Sequence, residues 1–160
     1  MAALLVEVGV VGELVQPVTA WGVARWCPRA VLAEVPATAP RTQLPGGLVY
    51  LGPAQLVLHH VETGNYRDNL ATGAPRLWVV LDQDGMVVAL SADPTEGESF
   101  SEAGVDAAAR VVEMVPMPAP IAARLAAFVA EHHVERTFHK RQRDRADPDS
   151  LGRRSRVDEE

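Results

Sequence analysis

Short valine-rich runs, cut apart by glycine, proline and Asx turn signals, recur along most of this chain, and they leave it few options besides an antiparallel β architecture. The sharpest instance is Arg76-Leu77-Trp78-Val79-Val80-Leu81 and Met86-Val87-Val88-Ala89-Leu90 around Asp82-Gln83-Asp84-Gly85. Asp-Gly supplies the positive φ angles of a tight hairpin turn. The consecutive apolar residues in both arms predict central strands covered on both faces.

The same logic places a strand over residues 6–15, bent at Gly9 or Gly12, and a turn at Gln16-Pro17-Val18-Thr19. A second extended segment is expected from Trp21 to about Val35, with Pro28 at an edge or bulge because it cannot donate a ladder hydrogen bond. Residues 36–47, with three prolines and two glycines, read as a loop. Residues 48–51 and 54–62 read as two strands of a hairpin turned at Gly52-Pro53. Residues 63–71 and 94–104 predict short helices, and residues 110–115 a last strand. A final helix opens at Met117-Pro118-Ala119-Pro120, where a first-turn proline loses no hydrogen bond. Its Ile121, Leu125, Phe128, Val129 and His132 fall at spacings of three and four, a core-facing stripe ending near Val134. The expected fold class is α+β: a mostly antiparallel sheet of about seven strands, closed as a barrel or split as a two-sheet sandwich, with a C-terminal helix as in the pleckstrin-homology superfold. A split sheet with helices on one face would use the same elements.

Residues 1–134 are expected to form the one folded domain, which 160 residues can supply with a core. They hold seven Lys and Arg against fourteen Asp and Glu, a net of −7, whereas residues 135–160 carry a net of +1. Periodicity vanishes after Glu135, so that stretch is expected to be a charged, disordered tail. An acidic body with a short basic arm is not the footprint of a DNA-binding domain, so nucleic acid is not the expected partner. The single cysteine, Cys27, excludes an internal disulfide and suits a reducing cytoplasm. Glu7 interrupts the first apolar run, and no stretch reaches the roughly 20 apolar residues of a membrane span.

Candidate functional residues are sparse. Leu44-Pro45-Gly46-Gly47 lacks the Lys-Ser/Thr of a phosphate loop, and Ser91, Ser99 and Ser101 have no assignable base. No catalytic residue is assigned, and no cofactor is expected. The histidine pairs His59-His60 and His132-His133 could bind a transition metal if they met in space. Neighbours on a strand point to opposite faces, though, and neighbours on a helix diverge, so a His132 capping the core beside a solvated His133 is the simpler expectation. Cys27 reads as a small buried hydrophobe. Trp21, Trp26 and Trp78 read as core or rim packing; exposed, the first two would mark a protein-binding patch. Glu62, Tyr66 and Asn69 or Leu70 share one helical face, where polar groups either converge on a ligand or partner, or belong to a capped surface helix with Tyr66 and Leu70 packed inward. Lys140, Arg141 and Arg143 lie in an anion-seeking arm, His139-Lys140-Arg141-Gln142-Arg143-Asp144-Arg145, either solvated or docked on a partner.

Several of these fragments together resemble a bacterial family, domain of unknown function family 3305. They are Leu58-His59-His60-Val61-Glu62 running into Tyr66-Arg67-Asp68-Asn69-Leu70, Arg76-Leu77-Trp78-Val79-Val80-Leu81, Val115-Pro116-Met117-Pro118, and the segment from Phe128 through His132-His133 to Arg145. The resemblance implies a gene neighbourhood beside molybdenum-dependent formate dehydrogenases and an accessory role in their assembly, maturation or regulation. Members are sometimes labelled guanylyltransferases, but Val10-Val11-Gly12-Glu13-Leu14 offers no Gly-rich, basic phosphate loop after the first strand. The expected function is therefore a non-enzymatic protein that docks on a formate dehydrogenase subunit or maturation factor through the Tyr66 helix, the His132 region and the basic arm. The competing expectation is a small metal- or cofactor-handling protein with His60, His132 or His133 and Glu62 as ligands.

Overall fold

The computed structural model describes residues 3–102 and 110–133. Seven strands and three helices alternate along the chain: β1 (Ala3–Val15), β2 (Arg25–Leu32), β3 (Thr42–Gln43), β4 (Val49–His59), α1 (Thr63–Ala71), β5 (Arg76–Leu81), β6 (Val87–Ser91), α2 (Pro94–Glu102), β7 (Val111–Pro116) and α3 (Ala119–His132). They form two antiparallel sheets, ordered β2-β1-β4-β3 and β6-β5-β7. The α+β expectation therefore holds in its two-sheet form, and among the described residues the strands do not join into a closed barrel.

β1 is the spine of the larger sheet. Val6, Val8 and Val10 turn inward and are fully buried while Leu5 and Glu7 face out, the period-2 pattern of a strand with one covered face. Near the glycines where a bend is expected, the register of β1 shifts twice, each time against an extra residue on a neighbouring strand. Val10 pairs with Gly52 and Val11 with Tyr50, leaving Leu51 unopposed; Val11 pairs with Ala30 and Gly12 with Pro28, leaving Arg29 unopposed. Pro28 thus lies at a bulge on the edge strand, where its missing N–H is tolerated.

Gly52-Pro53 does not turn a hairpin. β4 runs unbroken from Val49 to His59, with Pro53 opposite Gly9 of β1. Since β3 pairs only with Val49 and Tyr50, β4 has a single ladder neighbour from Gly52 onward, and a residue without an N–H fits there. The expected 36–47 loop correspondingly contains the two-residue strand β3. The expected 94–104 helix is α2, and residues 103–109 lie outside the described residues.

The hairpin of β5 and β6 forms as expected, with Gly85 at φ 75°. β5 is central and covered on both faces: Leu77, Val79 and Leu81 enter the main core, while Trp78 is buried on the other face beneath Gly97 of α2. β6 is an edge strand with Val88 exposed, so the double cover expected of both arms applies to β5 alone. α3 closes the core with Ile121, Leu125 and Phe128, the stripe its spacing predicts. No helix of the described residues is long and apolar enough to cross a membrane.

Candidate functional site

The residues singled out in and just ahead of α1 bond to different partners. Tyr66 points into the core, and its hydroxyl accepts the His59 backbone N–H at 2.9 Å. Its ring meets Phe128 edge-on at 6.2 Å, and Phe128 in turn lies 4.6 Å from the imidazole of His132. This column ties α1 to α3, so Tyr66 and His132 are brought together by packing. Asn69 points elsewhere: its amide donates to the carbonyls of Arg76 and Ala92, both at 2.8 Å, and its oxygen accepts the Arg76 N–H at 3.0 Å. Those bonds fasten α1 to the start of β5 and the end of β6. Glu62 accepts a bond from Asn65 at 3.1 Å within the same turn of chain.

The histidine pairs are likewise split. His59 ends β4 and His60 opens a short 3-10 turn, both exposed. His133 Nδ1 lies 3.1 Å from the Thr63 hydroxyl, and its Nε2 lies 3.2 Å from the Arg67 guanidinium. A guanidinium can only donate, so Nε2 must accept, and the ring proton belongs on Nδ1, directed to Thr63. With both nitrogens engaged, His133 works as a clamp between the end of α3 and α1. Among the described residues, no group of three or more His, Cys, Asp or Glu is arranged to hold a metal ion. Lys140, Arg141 and Arg143, with the rest of the 135–160 tail, lie outside the described residues. Cys27 is half-buried on β2 rather than enclosed.

Both tyrosines of the chain carry phenols pushed above their ordinary range by burial; at Tyr66 the bond from His59 opposes this, and Asp93, Glu96 and Glu62 reinforce it. The folded state therefore favours the neutral phenols. That contribution is complete below the unfolded phenol value, about 10, and is lost as pH rises through the raised folded values. In an alkaline titration followed at the phenolate absorbance, neither tyrosine should ionise ahead of unfolding, and the two should appear together as the far-ultraviolet signal collapses. An ionisation step preceding that collapse would show one phenol to be open to solvent.

The surface features best suited to binding lie at the opposite end of β1. The second strand begins at Arg25, not near Trp21, and residues 16–24 form the exposed tip of the β1–β2 hairpin. A turn closed by the Gly22 N–H on the Thr19 carbonyl at 3.1 Å, with Gly22 packed against Pro17, holds Trp21 outward. Trp21 is 91% exposed, Val23 80%, and Val18 fully so. Below the tip opens a groove of about 510 Å³ lined by Val23, Arg25, Trp26, Asp82, Asp84 and Val111. Trp26 is among its lining residues, half-buried, with the Arg41 guanidinium 5.3 Å from its ring centre and Gly85 of the β5–β6 turn against its ring. Expecting Trp21 in the rim of the core missed this tip. The usable signal was Pro17-Val18-Thr19-Ala20-Trp21-Gly22, apolar residues in a turn with neither period that would bury them.

Two antiparallel sheets, three helices and an apolar hairpin tip above an open groove define a small α+β protein by architecture. The chain belongs to the family described as protein of unknown function (DUF3305), whose model matches residues 7–142. No curated protein and no solved structure matches it.

Proposed function

We propose that this chain is a non-enzymatic accessory protein that acts by binding another protein, and that its partner is a formate dehydrogenase subunit or a maturation factor of that system, as the family resemblance implies. The observation that carries this is the outward-held Trp21 between Val18 and Val23. An unpaired indole in water contributes little to folding, whereas tryptophan is the residue most often found at the energetic centre of protein interfaces. The docking element is thus the β1–β2 tip rather than Tyr66, whose ring is committed to the core.

The test is recovery of partners on tagged full-length protein in cells making the dehydrogenase. Trp21→Ala should leave thermal stability within about 0.5 kcal/mol of the unsubstituted chain, because the side chain is exposed. It should lower recovery of the dehydrogenase or maturation factor by about 30-fold, the effect of a hot-spot truncation. Equal recovery with Ala at this position would remove the tip from the interface.

A further inference from the structure

We infer that the tip's resting occupant is a second copy of this chain, with the Trp21 of each copy seated in the groove of the other; this rests on the tip being the docking surface and adds how that surface is kept covered. The argument starts from position. Knob and hole belong to one chain, since the groove lining begins at Val23, two residues after Trp21. Trp21, carried on the Thr19–Gly22 turn, does not line the groove of its own chain. A two-fold interface needs a patch complementary to itself, and a projecting ring next to a cavity supplies that.

The chemistry of the groove suits an indole. Trp26 and Val23 offer aromatic and aliphatic contact, the Arg25 guanidinium can lie over the ring face, and the carboxylates of Asp82 and Asp84 can accept the indole N–H. Leu14 and Val15 at the end of β1 are also partly exposed beside the tip. An indole buries about 150–250 Å² when seated, so two such contacts make a small interface, at or below the roughly 1,000 Å² expected of a specific one. That size suits a reversible, micromolar association which a larger partner surface could displace.

The chain's own basic arm is a poor alternative occupant. Its attachment point, His133, is fixed to Thr63 and Arg67 beside the His59 end of β4, which pairs with Ala3. The groove lies at the Val15 end of the thirteen-residue β1, up to about 40 Å along the strand. Residues 134–145 would have to run nearly straight to bring Arg145 there; Arg153, Arg154 and Arg156, farther along the chain, have the reach but offer charges where the groove suits an aromatic ring.

Sedimentation equilibrium on the full 160-residue chain, from about 1 to about 200 µM, tests the inference. The unsubstituted chain should approach twice its 17.2 kDa mass. Trp21→Glu should weaken association by about a hundredfold or more, since one substitution removes both copies of the contact. Asp84→Arg, which fills the groove and reverses a charge in an exposed turn, should weaken it too. An equimolar mixture of the two variants keeps one intact knob and one intact groove, so it should associate more tightly than either variant alone. A chain monomeric at the top concentration overturns the proposal, as does a dimer indifferent to Trp21→Glu. A monomer that still captures the dehydrogenase through Trp21 overturns the dimer and leaves the tip as a docking surface for another protein. A Trp21-dependent dimer whose dehydrogenase recovery ignores Trp21 supports the dimer and removes the proposed use of the tip.

Discussion

Gly97→Ala is expected to destabilise the protein by about 2 kcal/mol, although alanine is the better helix former by about 1 kcal/mol. Gly97 lies inside α2 with its backbone against the indole of Trp78; a Cβ there would stand 2.2–2.5 Å from three atoms of that ring. No real contact is so short, and the atoms struck are the root of the indole rather than its far end, so relief requires the whole Trp78 ring on central strand β5 to move. Either the ring leaves its seat or α2 lifts off, and overpacking of this kind costs about 3 kcal/mol. Gly64→Ala is the contrasting substitution. Gly64 also lies in a helix, with nothing within 4 Å of its would-be Cβ, so there the propensity gain should dominate and stability should rise by up to about 1 kcal/mol. Urea denaturation of both variants reads the two signs directly. If steric conflict with Trp78 is the cause, Trp78→Leu in the Gly97→Ala background should cost much less than in the unsubstituted chain. Equal cost in both backgrounds would place the conflict elsewhere.

Such contacts mark the limit of what the chain displays in one dimension. Elements decided by local chemistry were legible: the β5–β6 hairpin from Asp-Gly, α3 from its apolar stripe and first-turn proline, the bulge on the edge strand β2 from Pro28. Gly52-Pro53 was ambiguous, because a hairpin turn and a bulged strand use the same two residues. The outcome was set by pairing of β4 along nearly the whole of β1, from Ala3 opposite His59 to Gly12 opposite Val49, a constraint between segments about fifty residues apart. Trp21 and Val23 have the residue types of a strand, yet the turn between Thr19 and Gly22 takes Trp21 out of the ladder.

Of the candidate site residues, the sequence told which share a helical face but not what they face. Tyr66 and Asn69 of α1 are both turned into the protein, towards different partners, while Glu62 stands in the 3-10 turn ahead of the helix, half-buried. A buried tyrosine and asparagine look the same in sequence as a binding pair, since what separates them is the identity of their partners. Here the partners are an apolar ring, Phe128, and main-chain groups of Arg76 and Ala92, which no residue name reveals. The same holds for His133, whose partners Thr63 and Arg67 stand about seventy positions earlier.

Asn69 therefore offers the strongest single test of α1 as a fixed structural element. The side chain is 2% exposed and satisfies three main-chain groups at once. Asn69→Ala should cost about 3 kcal/mol: the Ala92 carbonyl is left buried without its donor, while solvent at the more exposed Arg76 recovers part of the rest. Asn69→Asp isolates the chemistry from the volume. The carboxylate is nearly the same shape and can still accept the Arg76 N–H, but its other oxygen then faces two carbonyl oxygens where two donated hydrogens had been. At pH 7 it should be the worse of the two, by about 1 kcal/mol, because a buried charge whose second oxygen has no donor is added to the lost bonds. Lowering the pH should narrow its deficit against the unsubstituted chain, since a protonated carboxyl regains one donor, whereas the deficit of Asn69→Ala should stay nearly constant. Urea unfolding of all three proteins at about pH 7 and about pH 4.5 separates the cases. A deficit for Asn69→Asp that is small at pH 7 would mean that the amide's two donated bonds contribute little, and that α1 is held instead by the Tyr66, Phe128 and His132 column.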